Sequence, residues 1–282
     1  MLTFQLFRIR VELPSQPDLF NDSPSRRVIL ERAIGEKPSE ELRHGFVWHI
    51  GNLIRIDPDA LYFALGRTTI SIVERYDEER RDFLVEPFES APYTHVVLDE
   101  RNQVIAIAGK SRLAPTIRGI AAQFQKLLNS SAAARDSRAR IRVDEISDPE
   151  DFISILRTAY SVEQFSVTFR RPNPFDVEED FHRPLEKLLQ ESDGEVGKTT
   201  ISGENLNAEV LAEVARSTAA TGDDAAAKLR MTQEEHLVRR KLKGQAVTLA
   251  EEGLDTDGQK RNFLGRLRDA YSRVRHRLES KE

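Results

Sequence analysis

The sequence predicts an α+β fold: an N-terminal antiparallel β-meander closed by a helix, then an α+β domain with helices on one face of a mixed sheet. Three observations carry this. Between Phe46 and Lys110, apolar and β-branched stretches follow one another across tight polar turns, Asp57-Pro58-Asp59, Gly66-Arg67 and Asp99-Glu100-Arg101-Asn102, as antiparallel hairpins require. After residue 140 strand and helix patterns alternate, with no glycine-rich phosphate turn following a strand. Between the two halves lies a small, polar segment, 129–140, that has no apolar period. The predicted organisation is therefore a β-rich domain over 1–128, a linker or frayed helix end over 129–140, and an α+β domain over 141–282 that ends in a basic helix.

Taken in order, Thr3 to Glu12 alternates Phe4, Leu6, Phe7, Ile9 and Val11 with one slip and reads as a strand. Ser25 to Ile34 is a short helix. Strands follow over Phe46–Asp57, Leu61–Leu65, Thr68–Tyr76, Arg81–Pro87, Thr94–Asp99 and Gln103–Lys110. The closing helix, Pro115 to Leu128, carries Ile117, Ile120, Ala121, Phe124, Leu127 and Leu128 on one stripe, and Pro115 suits its first turn. Ile141 to Ile146 is a strand, and Asp148-Pro149-Glu150 opens a helix running to about Tyr160. Phe165 to Arg170 is a strand. Asp176 and Glu179 form a capping-box-like start to a helix through Gln190, kinked at Pro184. Thr199 to Ser202 is a strand and Asn207 to Thr218 a helix. Ala225–Thr232 and Leu237–Leu249 read as an antiparallel pair, and a last helix spans about Asp257 to Leu278.

Composition narrows the chemistry. The 282 residues include no cysteine, which excludes disulfides, thiolate metal ligands and cysteine nucleophiles and fits a reducing cytoplasm. No apolar run is long enough for a membrane span or a secretory leader, so cytoplasmic localisation is expected, with no membrane insertion. The net charge of −5 is unevenly distributed: residues 228 to 282 hold fourteen Lys and Arg against nine Asp and Glu, a net of +5, leaving −10 on the rest. Such a local field permits phosphate binding by one surface of an acidic protein, although cations also solvate terminal helices.

Catalytic signatures are lacking. Gly194-Glu-Val-Gly197-Lys198-Thr199 imitates a phosphate-binding loop, but Ser192 stands where the first glycine belongs and the order is helix, loop, strand. The six histidines have no zinc-protease spacing, the lone Glu-x-Lys triplet is Glu279-Ser280-Lys281 in the tail, and no Gly-x-Ser-x-Gly elbow occurs. Asp144, Glu145, Asp148, Glu150 and Asp151 could hold a metal, yet a helix N-terminus attracts carboxylates for its own dipole. No enzyme activity, cofactor or metal is expected, a metal-dependent nuclease being the enzymatic alternative.

Basic residues remain as the candidate site. In the strand ending at Arg170, Ser166, Thr168 and Arg170 share the polar face, and Arg171 precedes Pro172, which holds it in extended backbone. Two guanidiniums at one corner suit phosphate contact, or pairing with Asp176, Glu178 or Glu179. Arg239, Lys241 and Lys243 alternate along one strand face, and the last helix carries Arg268 and Arg275 among its arginines.

In length and order of elements, with a hairpin running into a helix at Val96 to Leu128 and a basic helix at the end, the chain resembles the DNA-binding Rex A proteins of phage exclusion. It is similar in the same way to small proteins of bacterial phage-defence operons. That resemblance implies sequence-tolerant DNA binding and self-association as dimers. The expected partners are nucleic acid, double-stranded DNA first, further copies of the chain, and a second protein of the same operon. The rival expectation is an assembly subunit whose basic face docks an acidic protein.

Overall fold

A computed structural model describes residues 1–13, 24–170, 188, 189, 191, 192, 194 and 196–275. The architecture is α+β, with a nine-stranded and a four-stranded sheet among these residues, and every pairing is antiparallel rather than mixed.

Strand β1 (Leu2–Glu12) is buried almost end to end because both of its faces are covered. Alternation sends Phe7, Ile9 and Val11 to one core, and Phe4 and Leu6 to the other. The large sheet runs β13-β1-β7-β6-β4-β3-β2, with β2 (Ser39–Arg43), β3 (Phe46–Asp57), β4 (Ala60–Asp77), β6 (Tyr93–Asp99), β7 (Val104–Ala108) and β13 (Thr248–Glu251). Strand β8 (Arg140–Glu145) continues beside β1 where β13 stops, and β5 (Asp82–Ser90) pairs with β4 alone. One face carries α1 (Arg26–Gly35), α2 (Ile117–Asn129) and α3 (Ala132–Asp136), and the Phe63 and Phe124 rings meet there at 5.6 Å.

Against the opposite face lie α4 (Glu150–Thr158), α5 (Ala208–Thr221) and α6 (Asp257–Arg275), where Phe263 stacks on Phe4 at 4.4 Å. Beyond them is the small sheet, ordered β10 (Val196–Ser202), β9 (Ser161–Arg170), β11 (Asp224–Arg230), β12 (Val238–Lys241). Its inner face, with Val162, Phe165, Val167, Ala225, Ala227 and Leu229, closes on the helices. Its other face carries the exposed Lys198, Lys228, Arg239 and Lys241.

Several expectations are corrected. The linker expected over 129–140 contains α3, whose N-cap Ser131 accepts from the Ala134 N–H and whose first amides, Ala132 and Ala133, donate to the Glu36 carboxylate at 2.8 and 2.9 Å. The expected domain boundary also falls inside the large sheet, because β8 and β13 from the second half flank β1 from the first. Gly66-Arg67 is not a turn: β4 runs through it, and a Cβ at Gly66 would stand 2.9 Å from the Pro92 carbonyl oxygen, so glycine serves close strand approach. Pro115 precedes the Thr116 cap of α2 instead of lying in its first turn. Strand β2 has no alternating apolar signature because its residues are mostly exposed, and its pairing with β3 holds it in place.

The expected strand Leu237–Leu249 divides into β12 and β13, which belong to different sheets. Gly244 makes the crossing possible: a Cβ there would come within 1.7 Å of the Asp148 carbonyl oxygen. The Asp148 N–H donates to the Gln245 carbonyl at 2.8 Å beside it. The helix expected from Asp176 to Gln190, with its kink at Pro184, lies largely outside the described residues, as does the end of the last helix beyond Arg275. Beyond residue 68, β4 and β5 leave the sheet as a ribbon that pairs with no other strand among the described residues, exposing Ile70, Ile72, Phe83, Val85 and Phe88. No described helix is long and apolar enough to cross a membrane.

Arg10 is buried on β1 and joins three segments: Nη2 reaches Asp144 of β8 at 2.7 Å and Nη1 reaches Asp223, just after α5, at 3.3 Å. Burial opposes its charge, but the two carboxylates outweigh burial and raise its pKa. Gly222, left-handed at φ 72°, sets Asp223 in position; a Cβ there would approach Asp144 Cβ to 3.0 Å. Arg10→Ala strands two acids against the core and is expected to cost about 3–5 kcal/mol in urea unfolding. Gly244→Ala is expected to cost roughly 3 kcal/mol or more, since the clash is with backbone.

Candidate nucleic-acid interface

The open face of the small sheet is built by strand parity. Across β9, β11 and β12 the outward residues pair as Gln164↔Lys228↔Arg239 and Ser166↔Ala226↔Lys241, and the next row is Thr168↔Asp224. On the other side β10 adds Ser202, Thr200 and Lys198 against Gln164, Ser166 and Thr168. The inward residues are apolar and hold the sheet to the helices, which forces the polar set outward. Neighbouring strands are about 4.8 Å apart, so the face is roughly 14 Å wide.

Lys198, Lys228, Arg239 and Lys241 are all exposed, and none makes an ion pair among the described residues. Lys228 and Arg239 stand directly opposite each other, like charges in a cross-strand position that disfavours them. Asp224 is the one carboxylate in these rows. No aromatic ring occupies them, so the surface offers cations and short hydrogen-bonding groups without a stacking platform.

The sequence-derived residues divide among several places. Arg239 and Lys241 share the open face as expected. Arg170 ends β9 opposite Val196, in the register row beyond Thr168 and Lys198, while its side chain lies outside the described residues, as does the whole of Arg171. Lys243 does not continue the row: β12 stops at Lys241, and Lys243 instead lines a cleft with Asp144, Glu145, Asp223 and Asp224. Arg268 is withdrawn from the candidate set. Its Nη2 and Nε bond Asp99 Oδ1 at 2.9 and 3.2 Å, and that hydrogen bond raises its pKa. Arg275 is half-buried at the end of α6 and is not a free cation.

The other described arginines of this helix for which a bond is seen are exposed yet engaged. Arg266 pairs with Glu251 at 2.7 Å, Arg261 donates to the Ile56 carbonyl at 3.2 Å, and Arg273 donates to its own helix at Asp269. Guanidiniums with several directed donors suit such contacts, and Lys260 of the same helix is buried too, with Nζ 3.2 Å from Asp257 and 4.9 Å from the Tyr62 ring centre. Two cations escaped sequence reasoning. Lys228 gains meaning only from its cross-strand partner, and Lys198 was visible solely inside the imitation phosphate loop. That loop is excluded by the strand itself, since Gly197, Lys198 and Thr199 all lie in β10.

Four of the five acidic residues considered for metal binding are engaged elsewhere, and Asp151 is exposed at the start of α4. Asp144 holds Arg10, Glu145 pairs with Arg118 at 2.6 Å, Glu150 pairs with Arg216, and Asp148 accepts the Glu150 N–H at 3.0 Å. Among the described residues no group of His, Asp and Glu is arranged to hold a metal.

The chain belongs to the family described as Domain of unknown function (DUF4747), which matches residues 24–230. The match takes in the ribbon, β9, β10 and β11, and stops before β12. No curated protein matches the chain.

Removing the like-charge opposition should stabilise the fold. Lys228→Thr is expected to raise unfolding free energy by about 0.2–1 kcal/mol in low-salt thermal melts, with the gain shrinking as salt is added.

Proposed function

We propose that this chain is a non-enzymatic, sequence-tolerant nucleic-acid-binding protein that holds phosphate backbone on the open face of the small sheet. The observation that carries the reading is the unneutralised set Lys198, Lys228, Arg239 and Lys241, exposed on one surface while arginines elsewhere take internal acids. Phosphate contacts position a protein without reading bases, and Ser166, Thr168 and Gln164 can add neutral hydrogen bonds. The lack of rings on the face favours a duplex backbone over stacked single strands. The likeness to Rex A proteins extends the reading to bacterial phage defence in the cytoplasm, where a second protein of the same operon would act with it.

That likeness also implies self-association, and we assign it to the free ribbon of β4 and β5. Two-stranded ribbons are marginal in water alone. Ile70, Ile72, Tyr76, Phe83 and Val85 alternate onto one face and are between 48% and 79% exposed. Together they offer on the order of 600–800 Å², close to what one partner of a standard interface buries. A second copy is the occupant, and light scattering tests it: Ile72→Glu with Phe83→Glu yields monomers if the ribbon joins the copies, whereas an unchanged mass removes this assignment.

Duplex binding measured between 50 and 200 mM salt tests the main reading. Four phosphate contacts predict a log–log slope of about −3.6. The triple variant Lys228→Ala, Arg239→Ala, Lys241→Ala is expected to flatten the slope by roughly 2.7 and to lose most of the affinity at low salt. Flat salt dependence in the wild type, or a triple variant that binds as tightly, would sink the reading.

A further inference from the structure

At the root of the ribbon, far in the topology from the small sheet, lies a pocket of about 220 Å³ lined by Leu2, Ala91, Pro92, Tyr93, Thr94, His95, Lys110 and Arg112. It contains two permanent cations, one imidazole and one phenol, and no carboxylate. Lys110 and Arg112 are exposed and make no ion pair among the described residues. The backbone beneath them is held. The Lys110 carbonyl accepts the Leu113 and Ala114 N–H groups at 2.9 and 3.3 Å, and the Arg112 carbonyl accepts Arg67 Nη2 at 2.7 Å. On the facing wall, the Arg67 N–H donates to the Pro92 carbonyl at 3.1 Å, and Gly66 lets Tyr93 sit against β4.

The chemistry within is polarised. His95 Nδ1 is 2.7 Å from the Tyr62 hydroxyl, which leaves Nε2 without a partner among the described residues. Tyr93 meets the imidazole edge-on, with ring centroids 5.7 Å apart. The Thr94 hydroxyl is engaged by the Ala108 carbonyl, so the free donors of the pocket are Lys110, Arg112, Tyr93 and His95. Leu2, Ala91, Pro92 and the half-exposed Tyr93 ring supply an apolar side.

We propose that this pocket binds a phosphate monoester, with the phosphate between Lys110, Arg112 and His95 and the organic group on Pro92 and Tyr93. Two cations lining one pocket with an imidazole donor match an oxyanion, and a monoester accepts more charge-assisted bonds than a backbone diester. The site is separate from the sheet face and stands or falls independently of it. It is also coupled to protons. Burial lowers the His95 pKa; Asp255, just before α6, opposes that shift, while Lys110 and Lys260 of α6 add to it, and Tyr62, Tyr93 and Arg112 complete the groups around the ring. The imidazole is therefore neutral near neutral pH in the free protein. A bound dianion favours imidazolium, so binding takes up a proton and tightens as pH falls from 8 toward the histidine range.

The probe is phenyl phosphate, titrated into full-length protein carrying labelled histidine, with His95 followed by NMR between pH 6 and 8. Saturable binding that moves His95 and raises its titration midpoint is expected. Lys110→Ala and Arg112→Ala should each weaken it by at least about tenfold, the loss of one charge-assisted contact. Lys241→Ala, on the sheet face, should leave it unchanged. Oligonucleotides with 5′-phosphate and 5′-hydroxyl ends distinguish the two sources of the ligand: preference for the phosphorylated end assigns a nucleic-acid terminus, and tighter phenyl phosphate binding assigns a small molecule. An unmoved His95, binding that survives the Lys110→Ala, Arg112→Ala double variant, or an equal loss in Lys241→Ala overturns the site.

Discussion

A single guanidinium inside the protein makes its two halves one structure. Arg10 lies in the middle of β1, the strand flanked by β7 on one edge and by β13 and β8 on the other. With both faces of the strand covered, a cation there is tolerable only if matched, and Asp144 and Asp223 match it through its two terminal nitrogens. Asp223 is supplied by the end of α5 and accepts the Thr221 hydroxyl at 3.1 Å, so the ion pair also locates the helix that carries the small sheet. Arg8, two residues earlier, repeats the device by donating to Tyr271 on α6 at 3.0 Å. The order of the strand's polar residues thus sets where the helical layer docks.

Charge is divided by position more than by abundance. The last helix looks basic in sequence, yet Arg261, Arg266 and Arg268 bind carbonyls and carboxylates contributed by the large sheet and its loops. Their work is architectural. The cations that remain in solvent are short of partners because the neighbouring strand positions are Ser, Thr, Gln and Ala, with Asp224 the one carboxylate in the rows. A sheet whose outer residues oppose lysine to arginine retains a local repulsion that an anionic partner would relieve, which is why the proposed function rests there.

Elements with strong periodicity were legible beforehand. Strand β1, the β6–β7 hairpin, α2 and the β11–β12 pairing all follow from alternation or a helical stripe that burial then rewards. Elements defined by what lies beside them were not. Strand β2 is mostly exposed and exists through its bonds to β3, α3 needs Glu36 from a distant turn, and Gly66 reads as a turn until Pro92 and Tyr93 are seen pressed against it. Within the candidate site, Arg239 and Lys241 were found because they alternate locally, whereas Lys228 and Lys198 needed their strand partners.

The amino-acid sequence on its own determined the α+β class, the placement of most strands and helices, the absence of cysteine chemistry and the basic weighting of the C-terminal stretch, since each is a local or compositional property. Only the tertiary structure decided that β8 and β13 return to the first strand, that Gly244 passes the chain from one sheet to the other, and which cations meet acids and which meet water. Those outcomes depend on contacts between residues far apart in sequence, such as Arg10 with Asp144 and Arg268 with Asp99, and no short window of sequence contains both partners.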